Sequence, residues 1–151
     1  MVFRKALDEE IKALTDISKA AFETDVYVGG TELQGPPGYD SYEWHKNMQS
    51  EDRLYSFTDG RNIIGGAVLF IYGSVLYIGR IFISPVYFRQ GYGINLMKEI
   101  EDYFPEVKKF KLETPVWNVR TNNFYPKCGY IETKRDEETV YYEKIRNLYE
   151  E

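Results

Sequence analysis

The sequence predicts an α/β fold: a single domain over residues 1–151, built on one mixed, mostly antiparallel β-sheet flanked by helices. Three observations lead there. Two turn signals, Asp59-Gly60 and Gly73-Ser74, divide residues 53–85 into three successive strand-like runs, the pattern of antiparallel hairpins. The third run, "VLYIGRIFISP", is apolar on both alternating faces, as a strand covered on both sides must be. Elsewhere apolar residues recur at helical spacing, so helices interrupt the strands.

In chain order, "VFRKAL" (2–7) reads as the first strand. Asp8 is placed to cap a helix, with Glu9 and Glu10 in its first turn, where negative charge suits the dipole. Ile11, Leu14, Ile17, Ala21 and Phe22 give that helix one apolar face to about residue 23. Residues 24–40, "TDVYVGGTELQGPPGYD", are punctuated by Gly-Gly and Gly-Pro-Pro-Gly and are expected to be irregular. A loop of this length in a compact domain is usually functional or mobile. "SYEWHKNMQS" (41–50) reads as a second helix, and strands 53–59, 61–72 and 75–85 follow.

On the last of these strands, simple alternation puts Leu76, Ile78 and Phe82 on one face and Tyr77, Ile81 and Ile83 on the other, with Arg80 the charged exception. Ile94, Met97, Ile100 and Phe104 then space out a helix that stops near Pro105. Residues 107–117 form a strand in which Pro115 implies a bulge or an exposed edge. Residues 118–130 hold a short helix closed by Gly129. A hairpin turning at Asp136–Glu138 ends the chain, for an order of β-α-α-β-β-β-α-β-α-β-β.

Composition narrows the chemistry. Hydrophobic residues at 43% and charged residues at 28% describe an ordinary globular protein. A formal charge of −5 argues against a nucleic-acid partner, which needs a basic patch, and favours a cationic one such as an amine. The one cysteine, Cys128, allows no internal disulfide, and the one histidine, His45, allows no paired-histidine zinc motif, so no metal is expected. No GxSxG elbow accompanies His45. With no signal peptide at the start and no apolar run of about 18 residues, a cytoplasmic location without a membrane partner is expected.

One stretch carries more than architecture. In "FRQGYGINLM" (88–97) two glycines stand where a strand gives way to a helix. The first turn of a helix leaves N–H donors without internal partners, and its dipole favours an anion. Glycine lets a phosphate approach the chain without meeting a Cβ. A plain turn is the competing account. The Rossmann pattern is not met, because Asn95 and Leu96 follow Gly93, and no Gly-Lys-Ser/Thr makes a P-loop.

The stretch "ISPVYFRQGYGINLM" resembles the acetyl-CoA loop of the GNAT acyltransferases, whose core is Arg/Gln-x-x-Gly-x-Gly/Ala. Gly91 and Gly93 fall on its two small positions, and Phe88 stands where an Arg or Gln is usual. The order of elements is similar over nearly the whole chain. The resemblance implies the acyl-CoA N-acyltransferase fold, with strand 75–85 splayed from a parallel strand 107–117. It implies acetyl-CoA as acetyl donor, its pyrophosphate held by Phe88, Arg89, Gln90, Gly91, Tyr92, Gly93 and Ile94. The main chain of Ile81, Phe82 and Ile83 would bond the pantetheine arm, with Asn118 contacting it or simply capping a helix.

"NFYPKCGY" resembles the family's later signature, in which Tyr125 aligns with the tyrosine that protonates the departing thiolate. With 14 tyrosines in the chain, position in the motif selects it, not residue type. A phenol of pKa about 10 stays protonated at neutral pH and can donate as charge develops on sulfur. Pro126 departs from the usual residue and predicts an irregular turn around Tyr125. The implied reaction is direct acetyl transfer in a ternary complex to a primary amine of a small molecule or peptide. A non-catalytic acyl-CoA-binding or regulatory module is the alternative, and the resemblance allows a homodimer.

Such an amine, of pKa near 10.4, is neutral in only about one molecule in 10³ at pH 7, so a base is needed. Arg80 stands near the place where relatives carry a glutamate, and no base carries over. Glu113, Asp40 and His45 are candidates, and Tyr39, Trp44, His45, Arg80 and Glu113 are candidate acceptor-binding residues. Cys128 reads as a packing residue against Tyr130, not a nucleophile.

Overall fold

The structure, a computed structural model, describes residues 1–146. Among them, seven strands form one sheet: β1 (Val2–Lys5), β2 (Leu54–Thr58), β3 (Ile63–Tyr72), β4 (Val75–Ile83), β5 (Lys109–Pro115), β6 (Ile131–Arg135) and β7 (Thr139–Ile145). Their order is β1-β2-β3-β4-β5-β7-β6. Every neighbouring pair is antiparallel except β4 and β5. The helices α1 (Ile11–Glu23) and α2 (Tyr42–Ser50) cover one face; α3 (Tyr92–Tyr103) and α4 (Val119–Lys127) cover the other. Each face buries its own apolar cluster: Leu14, Val68 and Phe82 under α1, and Leu96, Met97, Ile100 and Phe110 under α3. No helix among the described residues is long and apolar enough to cross a membrane.

The alternation expected along β4 is broken at Gly79. Val68 of β3 pairs with Arg80 while Leu69 pairs with Ile78, so Gly79 is the extra residue of a β-bulge. A side chain would be crowded there: a Cβ would stand 2.6 Å from the Phe70 ring and 3.1 Å from Val68 O. One inserted residue moves everything after it to the opposite face. Ile81 and Ile83 therefore join Leu76 and Ile78 on the α3 side, and Phe82 packs under α1 instead. Arg80 follows Phe82, and its guanidinium stacks on Trp44 of α2.

β4 and β5 pair only at Val75–Tyr77 with Lys109–Lys111. Beyond Tyr77 the bulge carries β4 away, while β5 turns to β7 for its partner as far as Pro115. The sheet is split from that point. Val116 N–H donates to Glu138 O on the β7 side at 2.8 Å, so by alternation the Pro115 nitrogen faces the split, where no ladder bond is lost. The edge expected at Pro115 is thus an internal one.

Three local expectations are corrected. Asp8 caps nothing; it opens a short 3₁₀ turn, and Glu10 reaches back to accept from Leu7 N–H at 2.9 Å. The same Glu10 carboxylate is buried against Arg4, at 2.7 and 2.9 Å, and Ser56, at 2.9 Å. Ile94 is exposed, and Leu96 takes its place in the core. Around Pro126 the chain stays helical to Lys127 and then closes with Gly129 at φ +91°, Gly129 N–H bonding Pro126 O and Tyr130 N–H bonding Tyr125 O. Those two bonds form a Schellman cap directly after the proline, so the helix loses the bond Pro126 cannot donate to Asn122 O but is closed within one turn.

Candidate active site

The split between β4 and β5 opens a cleft of about 1490 Å³ that runs through the sheet. Single small-molecule sites measure about 300–1,000 Å³, so this one has room for two reactants. Ser84 N–H donates to Ile64 O at 2.8 Å, which turns the peptide groups of Phe82 towards β3 and those of Ile81 and Ile83 towards the cleft. Of the three expected main-chain contacts, Phe82 is therefore corrected: its backbone is taken by β3, and it lines the cleft by its side chain alone.

At one mouth, β4 leads through a 3₁₀ turn (Pro85–Tyr87) to Phe88 and Arg89, the latter at φ +64°, and then to Gly91 at φ +82°. Gly91 is the N-cap of α3 and offers no side chain, so the first-turn N–H groups of Tyr92, Gly93 and Ile94 have no capping acceptor. The contrast with α2 and α4 is direct: Ser41 accepts from Trp44 N–H at 3.1 Å, and Asn118 from Thr121 N–H at 3.1 Å. A Cβ on Gly91 would meet nothing within 4 Å, so an anion has open access. Gly93 is small for another reason: its Cβ would lie 3.2 Å from the Phe124 ring. Phe88, Arg89, Gly91, Tyr92, Gly93 and Ile94 all line this mouth. Gln90 does not; its amide lies 3.5 Å from Val86 O.

Tyr125 lines the cleft from α4, held among the rings of Phe124, Tyr130 and Tyr142. Burial pushes its hydroxyl above the usual phenol range, so it is a protonated donor. The hydroxyls of Tyr77, Tyr130 and Tyr142 bond Glu113, Glu101 and Asn122, whereas Tyr125 has no such partner among the described residues. Asn118, buried at the other end of α4 as its N-cap, lines the same cleft. Cys128 packs near Tyr130, with its thiol pushed up to about 11 by burial, which suits the packing role.

On the α1/α2 side the expectations divide. Trp44, Arg80 and Glu113 line the cleft; Tyr39 and His45 do not. The Tyr39 hydroxyl donates to Glu23 at 2.9 Å. His45 is completely buried, its Nδ1 2.8 Å from Ser41 O, and burial lowers its pKa so that it stays neutral. Asp40 lies instead in a separate shallow depression with Lys12, Thr15, Asp16 and Tyr42. Neither His45 nor Asp40 can serve the cleft as a base.

The family model described as the acetyltransferase (GNAT) family matches residues 11–130. The chain belongs to the GNAT acetyltransferase family. The PaiA N-acetyltransferase of Thermoplasma acidophilum, solved in complex with coenzyme A, superposes with a TM-score of 0.82 at 17% identity, covering 96% of this chain and 98% of that one. A GNAT acetyltransferase of Streptococcus agalactiae gives a TM-score of 0.82 at 18% identity, over 97% and 95%. Among curated proteins, the uncharacterized protein YrkN of Bacillus subtilis is 36% identical over 75 residues, 48% of this chain. That match spans 40% of YrkN, so the chain answers to well under half of that relative.

A residue not singled out from the sequence completes this GNAT cleft. Asp25, in the 3₁₀ turn after α1 (Thr24–Tyr27), lines the cleft, and burial raises its carboxyl pKa against the opposing pull of Arg120 and Asn118. Its charge is among those that raise the Tyr125 hydroxyl. The stretch 24–40 holds it there. Val119 N–H donates to Val28 O at 3.0 Å, and Arg120 Nη1 donates to Thr24 Oγ1 at 2.8 Å. The signal available beforehand was the length of that loop and its acidic residue directly after a helix.

Proposed function

We propose that the protein transfers the acetyl group of acetyl-CoA directly to a primary amine, with Tyr125 as general acid. The observation that carries this reading is the uncapped N-terminus of α3 opening into the same cleft as Tyr125. The free N–H groups of residues 92–94 would take the pyrophosphate, with Arg89 and Phe88 beside it. The inward-facing peptide groups of Ile81 and Ile83 would hold the pantetheine arm as a strand would. When bound, acetyl-CoA supplies the thioester carbonyl that the amine attacks and the thiolate that leaves.

Tyr125 returns a proton to that sulfur, which a phenol above the thiol in pKa does only as charge builds up in the transition state. Asp25 takes the proton that the amine must lose, since a carboxyl pushed up by burial is a better base than an exposed one. Asn118 steadies both, as the cap of α4 and as a partner of Asp25. Titration calorimetry with desulfo-coenzyme A, followed by thiol release from acetyl-CoA with an amine panel, tests the reading. Saturable heat and amine-dependent thiol release are expected; no heat on titration would overturn it.

A further inference from the structure

We infer that the amine acceptor carries a carboxylate, and that Arg80 receives it. This rests on the acetyl-transfer reading above and names the class of acceptor for the same cleft. Arg80 lies on the α1/α2 side, away from the glycine loop, because the bulge at Gly79 turns it there. Its guanidinium carbon is 4.0 Å from the centre of the Trp44 ring. Stacking on an aromatic face compensates part of the charge but leaves the in-plane N–H donors without a hydrogen bond.

None of those donors is used by the described residues. No carboxylate among them lies within ion-pair distance of Arg80, and its Nη1 is fully buried without a hydrogen-bond partner. Nearby groups do not supply an anion. Glu113 lines the same cleft but is outside ion-pair distance of Arg80 and is engaged by the Tyr77 hydroxyl at 3.0 Å, and His45 is buried and neutral. Burial lowers the Arg80 pKa to about 10, so it remains charged at neutral pH. A half-buried guanidinium that lines a reactant-sized cleft with no carboxylate partner among the described residues is costly unless something arrives to pair with it. A planar carboxylate matches its edge with two parallel bonds. A polyamine, by contrast, would bring a second cation to this spot. The net charge of −5 attracts amines in general; Arg80 selects among them.

The test compares amino acids, both α and ω, with their own amides and with spermidine, measuring kcat/KM by thiol release from acetyl-CoA. Wild type should favour carboxylates over the matched amides by tenfold or more. Arg80→Met should bring that ratio close to one, and Arg80→Lys should restore part of it, which a purely structural stack on Trp44 would not do. Turnover of amides or spermidine at least equal to that of the amino acids, no turnover of any amino acid, or an unchanged ratio in Arg80→Met would overturn the inference. Desulfo-coenzyme A calorimetry on each variant separates the two levels. Loss of the ratio with coenzyme binding intact concerns the acceptor alone, whereas wild type failing to bind coenzyme removes the acetyl-transfer reading itself.

Discussion

Gly93 of α3 faces Phe124 of α4 so closely that a Cβ would stand 3.2 Å from the ring, and Phe124 is the neighbour of Tyr125. The element that offers N–H groups to a phosphate and the element that carries the acid are thereby packed at a set separation. The two glycines of the loop consequently do different work.

Gly91→Glu should weaken desulfo-coenzyme A binding at least tenfold, because a carboxylate would sit at the open N-terminus of α3 and adopt φ +82° only under strain. Gly93→Val should instead push α3 and α4 apart, lowering turnover more than affinity. Calorimetry and thiol-release kinetics on both variants check the division. Equal losses of affinity in the two would contradict it.

Tyr125→Phe removes a hydroxyl that no described residue bonds, so the fold should be unaffected. Turnover should fall by about 10²–10⁴, the usual worth of a general acid, with coenzyme affinity unchanged. Full turnover in the phenylalanine variant would exclude Tyr125 from the chemistry.

Asp25→Asn should trade activity for stability. Its folded pKa is raised, so the charged form is disfavoured in the native state. Above the unfolded carboxyl pKa this destabilises the fold, and the penalty fades as pH falls. At neutral pH the amide should therefore melt at a higher temperature than wild type while kcat drops. The low-pH limb of kcat/KM for wild type should lie above the ordinary aspartate range. A lower melting temperature together with undiminished kcat would refute both halves.

Glu10 behaves in the opposite sense. Hydrogen bonds from Arg4, Leu7 and Ser56 hold its pKa below the usual carboxylate range. Its contribution is complete above the unfolded glutamate pKa and is lost as pH falls through the depressed folded value. Glu10→Gln should lower the melting temperature at neutral pH, and the gap from wild type should close in acid. Because Glu10 ties β1 to β2 and the start of α1, far from the cleft, coenzyme binding should not change.

Much of this was legible in the chain itself, wherever a few neighbouring residues decide the outcome. The Asp59-Gly60 and Gly73-Ser74 turns, the helix within residues 41–50, the Gly129 closure of α4 and the Asp136–Glu138 hairpin are settled by short-range backbone preferences and side-chain capping. The glycine loop and Tyr125 could be singled out for the same reason, since each sits in a contiguous motif; the roles given to them are the proposal above. Other matters depended on partners distant in sequence. Gly79 was visible as a glycine inside a strand, but only the register of its pairing with β3 makes it a bulge, and that bulge decides which face receives Arg80 and Phe82. His45 looked available until Ser41, Trp44 and Phe82 enclosed it. Asp25 became part of the cleft only when the loop after α1 was bonded to the start of α4. Local covalent geometry is written residue by residue, whereas burial and the field around a charge belong to whatever the folded chain brings alongside it.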